Sequence, residues 1–105
     1  MYIVHNRITI KPAFADDFEQ RFAERSGQVD GMDGFVSFKI LRHADATAES
    51  IMFVVQTVWE SEAHFTAWTE SDAFKAQHAQ SRTLPSEAFL GRPIIEKFNA
   101  IQSTD

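Results

Sequence analysis

IMFVVQTVWESEAHFTAWTESDAFKAQHAQ, residues 51–80, is the stretch whose reading decides the fold. Its first ten residues read as a strand. Ile51, Phe53, Val55 and Trp59 fall on one face at period two, and Met52, Val54 and Val58 fall on the other. A strand that is apolar on both faces wants cover on both sides. Ser61 then stands where a helix N-cap belongs, with Glu62 in the first turn, and the helix is predicted to run to about residue 70. Ser71 reads as a second cap with Asp72 behind it. Residues 72–80 are therefore a third helix, or a continuation after a kink.

Outward from this stretch the pattern stays regular. Residues 2–11 read as the first strand, with Tyr2, Val4, Ile8 and Ile10 on one face and His5, Arg7, Thr9 and Lys11 on the other. Pro12 ends it and suits the first turn of a helix. Residues 13–26 carry Phe14, Phe18 and Phe22 at a four-residue interval, one apolar helical stripe, and Gly27 is a plausible stop. Gly31 and Gly34 mark a loop, residues 35–43 a second strand, and 44–50 a polar turn. On the far side, residues 81–91 hold Pro85 and Gly91 and read as a loop, and residues 93–101 as the last strand. The order β-α-β-β-α-(α)-β is α+β. It predicts a ferredoxin-like split β-α-β unit: an antiparallel sheet with helices on one face. The second apolar face of the sheet predicts a homodimer, two sheets packed face to face in a dimeric α/β barrel.

The chain has 105 residues, which predicts one domain over 1–105. Ten Phe against one Tyr and two Trp imply a dense core or apolar surface that needs a cover. The net charge of −5, with no basic run, argues against nucleic acid as a partner. No stretch approaches the roughly 20 apolar residues of a membrane span. MYIVHNRITI lacks the basic and apolar regions of a secretion signal, so the expected location is cytoplasmic. With no cysteine, thiolate metal sites and iron–sulfur clusters are excluded, and a cofactor must be held by His, carboxylates or shape.

Several residues break the pattern. Asn6 sits on the apolar face of the first strand between Val4 and Ile8. It is either a satisfied core amide or a hydrogen-bonding group aimed into a pocket between sheet and helices. His78 shares a helix face with Phe74, and reads as an exposed or core-edge histidine, a general base, or an axial ligand. Trp68, on the inner side of the second helix with Phe65, is core or pocket wall. On one unbroken helix Trp68 and His78 would point about 80° apart, and a break at Glu70–Ser71–Asp72 would turn both toward one cavity. Arg21 and Arg25, one turn apart, border the Phe stripe, either as a solvated face with Asp17 or as two cations at a pocket rim suited to carboxylates. His5, His43 and His64 read as background. No HxxxH, HxH or HExxH spacing, glycine-rich phosphate loop or nucleophile elbow occurs.

VWESEAHFTAWTESDAFKAQHAQSR, residues 58–82, closely resembles the Isd-type haem-degrading monooxygenases of the antibiotic-biosynthesis-monooxygenase superfamily. The family pattern FxxWxxSxxFxxxH is met by Phe65, Trp68, Ser71, Phe74 and His78. HNRITI of the first strand is similar to the family's ENRLTL, and GMDGF and the PII of the last strand match too. The resemblance runs over nearly the whole chain, and its most specific part is the combination of Asn6, Trp68 and His78. It implies that haem b is both substrate and cofactor, that O2 and an external electron donor such as a reductase are needed, and that the ring is opened and iron released. It implies His78 as the axial ligand to the iron, Asn6 as a hydrogen-bonding residue on the distal side, and Trp68 as the group that distorts the macrocycle. Arg21 and Arg25 fall toward the propionates, and Ile8 is a candidate for the cavity lining. SRTLPSEAFLGR, residues 81–92, departs from the family's more polar loop, which bears on haem affinity and on the site of ring cleavage. Two alternatives stand beside this reading: a cofactor-free relative that oxidises a quinol or polyketide-like substrate, and a haem-binding protein without turnover.

Overall fold

Strand β1 (Tyr2–Ile10) forms where apolar and polar residues alternate, and its burial follows the alternation: Tyr2, Val4, Ile8 and Ile10 are buried. The computed structural model describes residues 1–23, 28–80 and 84–104, with residue 28 and residues 77–80 described by backbone alone. The helix expected from residue 13 begins instead as a 3-10 turn, Pro12–Phe14, and becomes helix α1 only over Ala15–Ala23. Pro12 has no N–H to give, and the turn closes through the short bond from Phe14 N–H to the Lys11 carbonyl, 3.0 Å. Gly27, the expected stop, lies outside the described residues. A second 3-10 turn, Gln28–Gly31, lies ahead of strand β2 (Phe35–Arg42). Strand β3 (Ile51–Trp59) follows a turn in which the Thr47 hydroxyl accepts from the N–H groups of Glu49 and Ser50 at 3.2 and 3.0 Å.

Helix α2 (Glu62–Thr69) is capped as expected: the Ser61 hydroxyl accepts from His64 N–H at 3.3 Å. The expected break before helix α3 (Asp72–Gln80) is present, and one side chain makes it. The Ser71 hydroxyl donates to the Trp68 carbonyl at 2.7 Å and accepts from Phe74 N–H at 3.1 Å, so it closes one helix and opens the next.

Strand β4 (Ile94–Asn99) is shorter than the 93–101 expected: Pro93 has no N–H for a ladder, and residues 100–101 run past Tyr2, where β1 begins. It pairs with β1 only over residues 2–7, which leaves the backbone of residues 9–11 to find other partners. The segment expected to be plain loop supplies them. After a 3-10 turn at Ser86–Ala88, Phe89 bridges to Ile10. Lys11 N–H donates to the Ala88 carbonyl at 2.9 Å and Leu90 N–H to the Thr9 carbonyl at 2.8 Å.

The sheet order is β2-β3-β1-β4 with every neighbour antiparallel, so β3 is inserted between the two strands that α1 joins. This is the α+β split arrangement that the element order predicted. Two apolar clusters form on the helix side. One holds Ile8, Ile10, Phe18, Ile51 and Phe53. The other holds Tyr2, Val4, Val29, Trp59 and Trp68. On the other side of the sheet, His5 Nε2 and Gln56 Oε1 are 2.8 Å apart and Arg7 bonds Glu96 at 3.0 Å. Around this polar centre lie Leu41, Ile94 and Phe98, which are 39%, 54% and 43% exposed.

Candidate active site: a cavity between the sheet and α1

The two clusters leave a cavity of about 390 Å³ between them, within the roughly 300–1,000 Å³ of small-molecule sites. Its floor is the inner face of the sheet. Registry sets the floor in rows: Ile40, Val55, Asn6 and Ile95 align across four strands, and Phe38, Thr57, Val4 and Lys97 align in the next row. Asn6, Phe38, Val55 and Thr57 reach the cavity from these rows, and Ile8 from the adjoining one opposite Phe53. Helix α1 supplies Phe18, Arg21 and Phe22 to one wall, α2 supplies Trp68, and the segment after α3 supplies Leu84, Phe89 and Pro93.

Among the described residues the lining is apolar apart from three: Asn6, Thr57 and Arg21. Asn6 Oδ1 is cut off from solvent and has no hydrogen-bond partner among the described residues. An amide acceptor left this way on an apolar face costs about 1–3 kcal/mol, which a ligand or a water in the cavity would offset. Thr57 Oγ1 accepts from Trp59 Nε1–H at 3.0 Å. Arg21 reaches the cavity from α1 while its Nε stays 3.3 Å from Asp17 Oδ1, the i,i+4 contact expected from the sequence.

Trp68 is 5% exposed and held on two sides. It stacks on the fully buried Trp59, centroids 6.4 Å apart, and meets Phe74 edge-on at 5.5 Å. Its plane is therefore fixed before any ligand enters. Of the residues singled out from sequence, Asn6, Ile8, Arg21 and Trp68 meet in one cavity. The backbone of position 78 lies in α3, but the His78 side chain and the whole of Arg25 lie outside the described residues. No cluster of three His, Asp or Glu suited to a metal ion occurs among the described residues.

Two features were not drawn from the sequence. Thr57 carries the same signal as Asn6, a polar residue at an inward strand position, here between Val55 and Trp59. His64, read as background, packs its ring against Gly34 and places Nδ1 2.7 Å from Ser61 Oγ.

Residues 1–80 match the family model described as antibiotic biosynthesis monooxygenase, and the chain belongs to that family. Within the family its sequence is similar to staphylobilin-producing haem oxygenases. The one from Staphylococcus haemolyticus (strain JCSC1435) is 36% identical over 88 residues, covering 84% of this chain and 83% of its own. The one from Staphylococcus saprophyticus is 32% identical over 98 residues, covering 91% and 92%. Among solved structures, the haem degrader MhuD from Mycobacterium tuberculosis, with two haems bound in its active site, is 31% identical. It aligns with a TM-score of 0.69 over 98% of this chain and 99% of its own.

Proposed function

We propose that this chain is a haem-degrading monooxygenase, an oxidoreductase that takes haem as substrate and cofactor, opens the ring and releases iron. The observation that carries the reading is the orphaned Asn6 Oδ1 in a mainly apolar cavity with Arg21 in its wall. The residues present fit a haem. A flat apolar ring matches Ile8, Val55, Phe22 and the Trp68 plane, and carboxylates at one edge match the Arg21 guanidinium. The haem-oxygenase relatives, at 36% and 32% identity, support the same reading.

Bound haem would supply the iron that activates O2 for attack on its own meso carbon, with electrons from an external donor such as a reductase. The chain's own residues bind and orient. His78, whose backbone lies in α3, would hold the iron. Asn6 holds its amide toward the reacting side of the cavity. Trp68, clamped between Trp59 and Phe74, would press on the macrocycle and so tune its reactivity. Arg21, and Arg25 four positions on in the sequence, would take the propionates. Phe18, Phe22, Leu84 and Phe89 exclude water from the ring. A second copy of the chain covers the open sheet face with its exposed Leu41, Ile94 and Phe98, giving a homodimer of one-domain subunits over 1–105. A cytoplasmic location suits this chemistry, and no helix among the described residues is long and apolar enough to cross a membrane.

Titration of the purified protein with hemin tests the reading. A saturable shift of the Soret band near one haem per protomer is expected, and its absence would sink the haem assignment. Adding ascorbate or a reductase under air should then bleach the band; persistence would favour a binding protein without turnover. His78→Ala should abolish stable ligation, while Asn6→Ala should keep binding and lose turnover.

A further inference from the structure

We infer that Thr57 is a positioning residue for Asn6: through one bound water it fixes the orientation of the Asn6 amide in the cavity. The inference rests on the haem reading only for its effect on turnover. Its structural part stands on the cavity alone.

Thr57 and Asn6 are the two polar residues of the cavity floor. Asn6 lies opposite Val55, so Thr57, two residues on in β3, is its diagonal neighbour on the same face. Diagonal neighbours in a sheet stand about 7 Å apart, somewhat less between Cβ atoms. Two short side chains do not meet directly over that span, and no bond between them forms here. One water bridges the gap left between their polar atoms, since two hydrogen bonds of about 2.8 Å meeting at a near-tetrahedral angle span about 4.5 Å.

The donors and acceptors also match. The Trp59 indole N–H occupies one lone pair of Thr57 Oγ1 at 3.0 Å, and an indole nitrogen can only donate. The Thr57 hydroxyl hydrogen is then directed elsewhere, and no acceptor for it occurs among the described residues. Asn6 Oδ1 is an acceptor with no donor among them. A water that accepts from Thr57 O–H and donates to Asn6 Oδ1 completes the chain Trp59 N–H, Thr57 O–H, water, Asn6 Oδ1. Each bond polarises the next in a low-dielectric pocket. Such a water is held at both ends by buried polar groups, as structural waters are. With Oδ1 tethered toward Thr57, the Asn6 NH2 group turns its donors into the cavity, where a ligand sits. Trp59 is fully buried, so the anchor of the chain is rigid.

Thr57→Val keeps the shape of the side chain and removes the hydroxyl, and Thr57→Ser keeps the hydroxyl. In the haem-free protein, the side-chain amide resonances of Asn6, assigned by their loss in Asn6→Asp, are expected to shift and exchange faster with solvent in Thr57→Val. They should stay near wild type in Thr57→Ser. In the loaded protein, Thr57→Val should bind hemin within about threefold of wild type but turn over roughly 10- to 100-fold more slowly, the usual loss when an outer hydrogen-bond partner of a metal site is removed. Thr57→Ser should recover most of it. Thr57→Ala gives the same readouts should Thr57→Val prove poorly folded. Unchanged Asn6 resonances in the hydroxyl-free variants overturn the inference, whether or not the wild type binds haem. A failed hemin titration overturns the haem reading and leaves the amide readout standing.

Discussion

Replacing Gly34 by Ala should destabilise the chain by more than its backbone strain, and combining it with His64→Ala should cost less than the sum of the two single changes. Gly34 adopts φ +78, a left-handed conformation that costs an L-residue about 1–2 kcal/mol. A Cβ at this position would also overlap the His64 ring, well inside van der Waals contact. The ring must then leave its place, and with it goes the 2.7 Å bond to Ser61 Oγ, worth about 0.5–1.5 kcal/mol net. Gly34→Ala should therefore cost about 2–3 kcal/mol, a large share of the roughly 5–16 kcal/mol expected for a chain of this length. His64→Ala alone loses the same bond, about 1 kcal/mol. In the double variant the ring clash is gone, the Cβ of residue 64 at 2.6 Å still has to shift as it does in Gly34→Ala alone, and the bond is lost only once, so the cost should fall about 1 kcal/mol short of the sum of the singles. Urea unfolding of the four haem-free proteins, followed by circular dichroism, measures this cycle. Additivity within about 0.5 kcal/mol would refute the reasoning. The contact also bears on the site. The Gly34 carbonyl accepts from Glu60 N–H at 2.8 Å, just ahead of the helix that carries Trp68, so Gly34→Ala should also loosen that wall of the cavity.

Arg21→Ala should weaken hemin binding about tenfold, or 1.4 kcal/mol, and Arg21→Lys should restore part of it. Its exposed ion pair with Asp17 contributes only a few tenths of a kcal/mol, so thermal stability should barely move, and an unchanged hemin affinity would remove Arg21 from the propionate side. The Tyr2 phenol is held above its ordinary pKa, first by burial and then by the charge of Glu62, whose Oε2 is 3.4 Å from the hydroxyl. The folded state thus keeps a proton that the unfolded chain releases near pH 10. Stability from this group is intact below that pH and is lost as pH rises through the raised folded value. Tyr2→Phe should flatten the alkaline limb of a stability profile, and an unaltered limb would show that another group sets it.

Much of the site was legible because strand periodicity is a local property. Asn6 declared itself as a polar residue between Val4 and Ile8, and Ser71 declared the break that separates Trp68 from α3. Thr57 carries the same signal as Asn6 but does not stand out by it, because a threonine is at home in a strand and an amide is not. His64 was illegible for a different reason: its partner, Gly34, is thirty positions away, and their contact depends on how the loop before β2 meets the start of α2.

By itself the sequence determined the type and order of the main helices and strands, which faces are apolar, and that the element order closes into a split antiparallel sheet. These follow from side-chain spacing along the chain, which needs no neighbour to be read. Only the tertiary structure decided that Asn6, Ile8, Arg21 and Trp68 border one cavity, and that Leu84, Phe89 and Pro93 join them. The reason is strand registry and pairing. β4 stops short along β1, the unpaired backbone at residues 9–11 takes up the segment around Phe89, and a stretch that reads locally as loop becomes part of the cavity wall.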